Sequence, residues 1–175
     1  MSPVNATAGA FRPATLNELP RPFRVGNDIT EANASLVPEQ LTGVEAGLAR
    51  ETDRLDIRAT LFATRIEDAI VNVTIGAGPG VFPRAGFVPA GGVLRERQNA
   101  GTIEAVGLEL EAEAWLREGL TLRGALAATD ARVDGGSQAP QLTGLRPAQA
   151  PIWSATAGLD WTPAPDWTVS ADARW

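Results

Sequence analysis

Glu109, Glu111 and Glu113 alternate along one stretch, so in an extended strand they share a face, with ~6.7 Å between successive positions. Carboxylates held in pairs at such distances serve glycoside hydrolysis. Their oxygens also bind hard cations. Nothing else in the sequence converges on them, and the plainer reading is a solvated polar wall salted by Arg123. Histidine and cysteine are absent. That excludes thiolate chemistry, zinc sites built on those residues and histidine-based triads, and with them a histidine-dependent phospholipase. Gly76-Ala77-Gly78-Pro79-Gly80 has the glycine content of a phosphate loop but lacks its lysine and following helix, and reads as a loop tip. Arg84, Arg95 and Arg97 in one long loop and Arg146 in another are candidate contacts to an anionic ligand. No enzyme activity, metal or cofactor is expected.

These residues need elements to hold them, and the clearest lie at the end of the sequence. Trp153, Ala155, Ala157, Leu159 and Trp161 share one parity, and so do Trp167, Val169, Ala171, Ala173 and Trp175. Polar or small residues fill the alternate positions. A period of two predicts strands with one apolar and one polar face. The tryptophans bracket each stripe, ~26 Å apart along a strand and ~20 Å in height at a tilt of ~40°, close to the ~25 Å apolar band of an outer-membrane barrel with its aromatic girdles. Trp153, Trp161, Trp167 and Trp175 are therefore expected to form such girdles. Sugar-stacking platforms are the alternative. Trp115 has the polar parity and fits neither role.

About six strands are predicted, near 41–50, 54–75, 99–116, 120–132, 152–162 and 166–175, with residues 1–40 read as a loop segment of the extracellular type. The connections alternate short and long, as barrel turns and loops do. No proline falls inside a predicted spanning strand. Pairing about Glu118 sets Glu113 opposite Arg123; pairing about Ala164 sets Leu159 opposite Val169 and Trp161 opposite Trp167. The fold class expected is all-β: an antiparallel meander forming part of a transmembrane barrel.

The chain has 175 residues, a net charge of −6 and fifteen basic residues, all arginine. An acidic balance without basic clusters argues against nucleic acid as a partner. No apolar run is long enough for a transmembrane helix, which leaves a barrel open because half of each barrel strand is polar. Tyrosine, which usually shares the girdles with tryptophan, is absent. The N-terminal stretch has neither a basic region nor an apolar one, unlike a signal peptide.

Several segments resemble one family. Phe11-Arg12-Pro13-Ala14-Thr15-Leu16-Asn17-Glu18-Leu19 is similar to the "FR-x-P-x-x-x-E-L" segment of TonB-dependent outer-membrane receptors, with Pro13 and Ala14 exchanged relative to the usual order. Asn33-Ala34-Ser35-Leu36-Val37-Pro38-Glu39 resembles their "N-x-x-L-x-P-E". Phe62 to Ile70 resembles their strand ending in "D-x-I", and Asn99-Ala100-Gly101 with Gly107-Leu108-Glu109-Leu110-Glu111 resembles "N-x-G…G-x-E-x-E". The order and spacing of these motifs cover residues 11–175.

The resemblance implies a C-terminal piece of a barrel of ~22 strands around a plugged lumen. It implies uptake of a scarce nutrient, such as a ferric siderophore, by the whole receptor. The TonB protein would act only through an N-terminal part outside this sequence, and the fragment alone is not expected to transport. Outer-membrane lipid and lipopolysaccharide are expected partners, the latter an alternative contact for the loop arginines. A small soluble β-sheet binding protein of lipocalin type is the second reading. It would hide the large apolar side chains inside, whereas a membrane barrel exposes them.

Overall fold

The computed structural model describes residues 2–16, 18–148 and 150–175. Its strands in chain order are β1 (Ser2–Arg12), β2 (Phe23–Val25), β3 (Asp28–Glu31), β4 (Glu39–Glu51), β5 (Leu55–Ala77), β6 (Gly80–Phe82), β7 (Gly86–Val88), β8 (Val93–Arg117), β9 (Leu120–Asp134), β10 (Trp153–Ala164) and β11 (Trp167–Arg174). One sheet follows the order β1-β4-β5-β8-β9-β10-β11, each neighbour antiparallel. The expected meander is the run β4, β5, β8, β9, β10 and β11. The strand β3 lies parallel to the far end of β8 and also pairs with β2, while β6 and β7 form a separate hairpin.

Alternation sorts the side chains into two faces, and cross-strand partners share a face. One face carries successive rows that are apolar except at one end: Val44–Ala63–Val106, which ends in Asp130, then Ala46–Leu61–Leu108–Ala128–Trp153, and Leu48–Ala59–Leu110–Leu126–Ala155. Leu55–Ala114–Leu122–Leu159–Ala171 follows two rows further on. The other face carries Glu51, Asp56, Arg58, Thr60, Glu109, Glu111, Glu113, Arg123, Thr156, Asp160 and Asp172. A trough of about 640 Å³ lies on this polar face and runs from Glu51 across to Asp172 and Arg174, so the sheet is concave on that side.

The apolar face is open: Leu61 is 61% exposed, Val106 57% and Trp153 63%. A contiguous apolar surface of this extent is not left in water by a soluble monomer. The buried apolar side chains lie instead toward the long-loop end. Ile29, Val88 and Leu94 form one cluster with Phe82 and Ala85 against it; Val73, Ala100 and Ala139 form another with Val71 and Leu142. At ~3.3 Å per residue, the 25 residues of β8 run ~80 Å, far more than the 9–11 residues that cross a bilayer. Its far half supports the loop cores.

Four expectations need correction. Residues 2–12, read as loop, form β1, paired with β4 from Ser2↔Ala49 to Arg12↔Glu39. Its outward positions run Pro3, Asn5, Thr7, Gly9 and Phe11, so one large apolar residue at the end makes no stripe to announce the strand. The third predicted strand starts at Val93 rather than near 99, and the loop before it contains the β6–β7 hairpin. In the last hairpin Trp161 faces Val169 and Leu159 faces Ala171, with a bulge between Trp161 and Ala164. Pro163 has no N–H to give the ladder, so the irregularity falls there. Prolines therefore do occur in spanning strands, at this bulge and at Pro3 on the edge strand.

At the β8–β9 turn, Gly119 adopts φ +71°, and the Thr162 carbonyl comes so near that a Cβ would lie 2.7 Å from it. Thr162 N–H donates back to the Gly119 carbonyl at 2.7 Å. Gly107 serves packing instead. A Cβ there would stand 2.3 Å from the Phe62 ring and 2.6 Å from the Ala128 carbonyl oxygen. The ring fills the space that a side chain on its cross-strand partner would need. Replacing Gly107 by alanine is expected to lower stability by about 1–3 kcal/mol through overpacking. The urea midpoint of the refolded chain in detergent micelles measures this, and an unchanged midpoint would mean that Phe62 is free to move aside.

Candidate functional site

The glutamate row sits on the concave polar face as alternation requires, but its members do not converge. Glu109 faces Thr60 and Ala127. Glu111 meets Arg58 at 3.7 Å. Glu113 is the Cα partner of Arg123, as the hairpin arithmetic gives. The Arg123 guanidinium, however, turns away from it, to Asp160 at 2.9 Å and Asp172 at 3.7 Å. Gly158 lies directly across from Arg123 and has no side chain to block that path. Among the described residues no group of three acidic side chains is placed to hold a metal ion. The wall is a surface of paired charges.

The densest polar constellation lies where β1, β4, β5 and β8 leave the apolar band. Glu39 receives the Arg12 guanidinium on one carboxylate oxygen and the Ile70 N–H at 2.7 Å on the other. Arg12 also reaches Glu18 at 3.1 Å, and Glu18 accepts the Thr15 N–H at 2.7 Å. The Asn99 side chain pairs with the backbone of Val37, accepting its N–H at 2.9 Å and donating to its carbonyl at 3.0 Å. It also donates to the Asp68 carbonyl at 2.6 Å. Asn33 donates to the Arg97 carbonyl at 2.9 Å. These contacts surround an irregular stretch of β5, where the register shifts between Ile66 and Ile70 and Asp68 adopts φ +55°. Aspartate is one of the few residues that tolerates that conformation.

The loop arginines are each held by their own chain. Arg84, in the β6–β7 turn, bridges Glu31 and Glu96, which are neighbours on β3 and β8. Arg95 pairs with Asp28 at 2.9 Å. Arg97 stacks over the Phe23 ring at 5.0 Å and donates to the Arg21 carbonyl. Those three gather around β3. Arg146 does not join them: it binds Asp130 at 2.9 Å and the Thr129 carbonyl at 3.1 Å, on β9. Trp153 and Trp175 lie toward the long-loop end of the apolar face, and Trp161 and Trp167 toward the short-turn end. Trp115 is on the concave face opposite Thr121, next to the β8–β9 turn.

Sequence reasoning singled out the glutamates and arginines and passed over Arg12, Glu18, Glu39, Asp68 and Asn99 as functional groups. Their signal was present all the same, because every one belongs to a motif that carried the family resemblance. Asn17 of the first motif lies outside the described residues.

A family model described as TonB dependent receptor-like, beta-barrel, matches residues 6–175. The structure is similar to a ferric enterobactin receptor mutant from Pseudomonas aeruginosa in complex with enterobactin, at 18% identity and a TM-score of 0.70, covering 99% of this chain and 25% of that one. It is similar to the siderophore receptor PirA from Pseudomonas aeruginosa, at 16% identity and a TM-score of 0.70, covering 99% and 30%. It is also similar to the copper transporter OprC, at 19% identity and a TM-score of 0.66, covering 97% and 23%. At these identities the likeness is one of fold. The chain spans less than a third of the length of each of these proteins. No curated protein matches the chain.

Glu39→Ala removes the acceptor of the half-buried Ile70 N–H and of Arg12 together, and losing a partner for such a donor costs about 1–2 kcal/mol, toward the low end of the range for a buried one. Hydrogen exchange at the Ile70 amide is expected to speed up about tenfold, one factor of ten per ~1.4 kcal/mol. Exchange at the wild-type rate would show that the bulge holds itself. Acid should loosen the neighbouring loops. Partial burial pushes the Glu18 carboxyl up, but the Thr15 N–H and the Arg12 guanidinium outweigh it and hold it below the usual range. The Val93 N–H and then Arg95 hold Asp28 low. Arg84 holds Glu96 low against partial burial. Each folded value lies below the unfolded one, so the stabilisation is complete above the unfolded values, near pH 4, and is lost as pH falls through the folded ones. The protection of the loop amides, which is the intrinsic exchange rate at the same pH divided by the observed one, should fall below about pH 4 and stay flat from pH 5 to 8.

Proposed function

Since the chain belongs to the TonB-dependent receptor-like β-barrel family, we propose that it forms part of the wall of an outer-membrane receptor that takes up a scarce nutrient such as a ferric siderophore. The observation that carries this reading is the division of the sheet: large apolar side chains open on one face, charged pairs on the concave other. A soluble calyx requires the reverse. Backbone ladders continue without a break through the apolar rows, as hydrocarbon demands.

In this reading the apolar face meets lipid and the four tryptophans Trp153, Trp161, Trp167 and Trp175 lie at the two interfaces. The long connections face outward from the cell. Of the four arginines proposed as ligand contacts, Arg84 has the most open side chain, 62% exposed. An anionic ligand there has to displace Glu31 or Glu96. The action is transport rather than catalysis, and nucleic acid is no partner. TonB engages a part of the receptor other than this barrel segment.

The edges β1 and β11 each have one unpaired side, and a bilayer does not tolerate unpaired backbone. Further strands are thus needed to close the wall. Sequencing the DNA on both sides of these codons tests this directly. An open frame that continues into an export signal, a plug-forming segment and additional strands is the expected result. A promoter and a stop codon bracketing these 175 codons would sink the receptor reading for this product.

A further inference from the structure

Two carboxylates, Glu31 and Glu96, stand side by side among the loops. They are partners in the parallel register of β3 on β8, ~4.8 Å apart at the backbone. Little of either side chain reaches water: Glu31 is 7% exposed and Glu96 17%. On the other side of β8 the row continues as Val73, which is buried. One nitrogen serves both acids: a terminal nitrogen of Arg84 lies 2.5 Å from Glu31 and also bonds Glu96. Among the described residues no other basic side chain is paired with either. Arg84 is itself mostly open and belongs to a different sheet, in the turn of the β6–β7 hairpin. The segment carrying that hairpin is closed at its base, where the Gly78 N–H donates to the Gly92 carbonyl at 2.9 Å. The hairpin meets β3 a second time through Val88, which packs with Ile29.

We propose that Arg84 is a clasp that makes the β6–β7 hairpin and β3 move as one: when the hairpin lifts about its closed base, it withdraws the cation between Glu31 and Glu96, and their repulsion parts β3 from β8. The device lies in the loops and goes beyond the receptor reading without depending on it. Like charges at strand spacing with little water between them repel far more than charges in open solvent. An ion pair that loses one member in such a place leaves an uncompensated charge behind. β3 has little to resist with, since its ladder on β8 is three residue pairs, Ile29↔Leu94 to Glu31↔Glu96. Lifting the hairpin uncovers Ile29 in the same step. Asp28 stays tied to the Val93 N–H at 3.0 Å, and Asn33 to the Arg97 carbonyl at 2.9 Å, so the stretch set free is the one between them. The coupling runs both ways. A docked β3 presents two carboxylates that hold the hairpin down, and a closed hairpin keeps β3 docked.

Hydrogen exchange of the full chain, refolded in detergent micelles and read by mass spectrometry on peptides containing β3, provides the test. Arg84→Gln keeps a polar side chain without the charge and is expected to speed exchange there about tenfold or more, the effect of an uncompensated buried charge. Adding Glu31→Gln leaves one carboxylate and no repulsion, and is expected to bring the rate back toward that of the wild type. Peptides covering the β6–β7 hairpin should speed up and recover with them. A wild-type rate in Arg84→Gln overturns the clasp. So does a double variant as fast as the single one, because an arginine that merely packs is not rescued by removing a carboxylate. A hairpin that keeps its wild-type rate while β3 opens overturns the coupling. Equal acceleration in the ladder around Val106–Leu110 shows a chain loosened as a whole, again against the proposal. If Arg84→Gln alone does not refold, the double variant decides: refolding with wild-type exchange at β3 supports the clasp, and failure to refold overturns it.

Discussion

A backbone N–H or C=O in hydrocarbon has no water to bond, so a spanning strand must find every partner in its neighbours. The positions of the irregularities follow from this. Register shifts occur at Ile66–Ile70 and Thr74–Gly76, at Trp115–Arg117 and at Trp161–Ala164. The first two lie on the loop side of the apolar rows and the others at the short-turn side. Between them, Val44 to Leu48, Ala59 to Ala63 and Val106 to Leu110 pair without interruption. Proline obeys the same limit. Pro163 sits at a bulge near the short turns, and Pro3 lies on the edge strand, where no second ladder is formed within the chain.

Once the strands pass the apolar rows, water returns and the rules change. β5 and β8 continue, but the ladder breaks near Asp68 and side chains replace the lost partners. Glu39 takes the Ile70 N–H, and Asn99 acts as a surrogate peptide for Val37. Beyond that point the protein buries apolar groups as a soluble domain does. Val88 and Leu94 are almost fully enclosed there, whereas Leu61 on β5 and Val106, on the same strand as Leu94, are mostly open. A single strand thus follows two solvents along its length, and the Arg12–Glu39–Asn99 constellation marks the boundary.

Much of this was legible in the sequence because period two survives wherever one face is lipid and the other polar. The strands around Leu55–Ala63, Val106–Ala114 and Trp153–Trp161 announce themselves by that contrast. The strand β1 does not, since Asn5, Thr7 and Gly9 alternate with Ala6, Ala8 and Ala10 and neither set is large or strongly apolar. The far half of β8 was hidden for another reason. Between Val93 and Asn99 both faces touch protein, so Arg95, Glu96 and Arg97 lie in a strand without a polar-apolar rhythm. The motifs were legible as resemblance long before their purpose was. Glu39, Asp68 and Asn99 bond to backbone groups distant in sequence, and no local pattern shows which peptide a side chain will reach.

Register was also easier to read than side-chain partnership, and the arginines show why. Glu113 and Arg123 are true cross-strand neighbours, yet the guanidinium spans Asp160 and Asp172 instead. On a sheet, several carboxylates lie within ~5–8 Å of any one position. A long cation selects among them by what the intervening residue allows, and Gly158 allows passage. The same economy recurs. Arg12 spans Glu18 and Glu39, Arg65 spans Glu67 and Glu104, and Arg84 spans Glu31 and Glu96. Twenty-one acidic residues face fifteen basic ones, all of them arginine. Four of the arginines each serve two carboxylates. The guanidinium has five donors in a fixed plane, and Arg12 and Arg65 reach their two carboxylates through separate nitrogens, whereas Arg84 and Arg123 meet both with one terminal nitrogen. At Arg12 and Arg65 that fork lets one cation hold two carboxylates at once, and at Arg12 they come from distant parts of the chain.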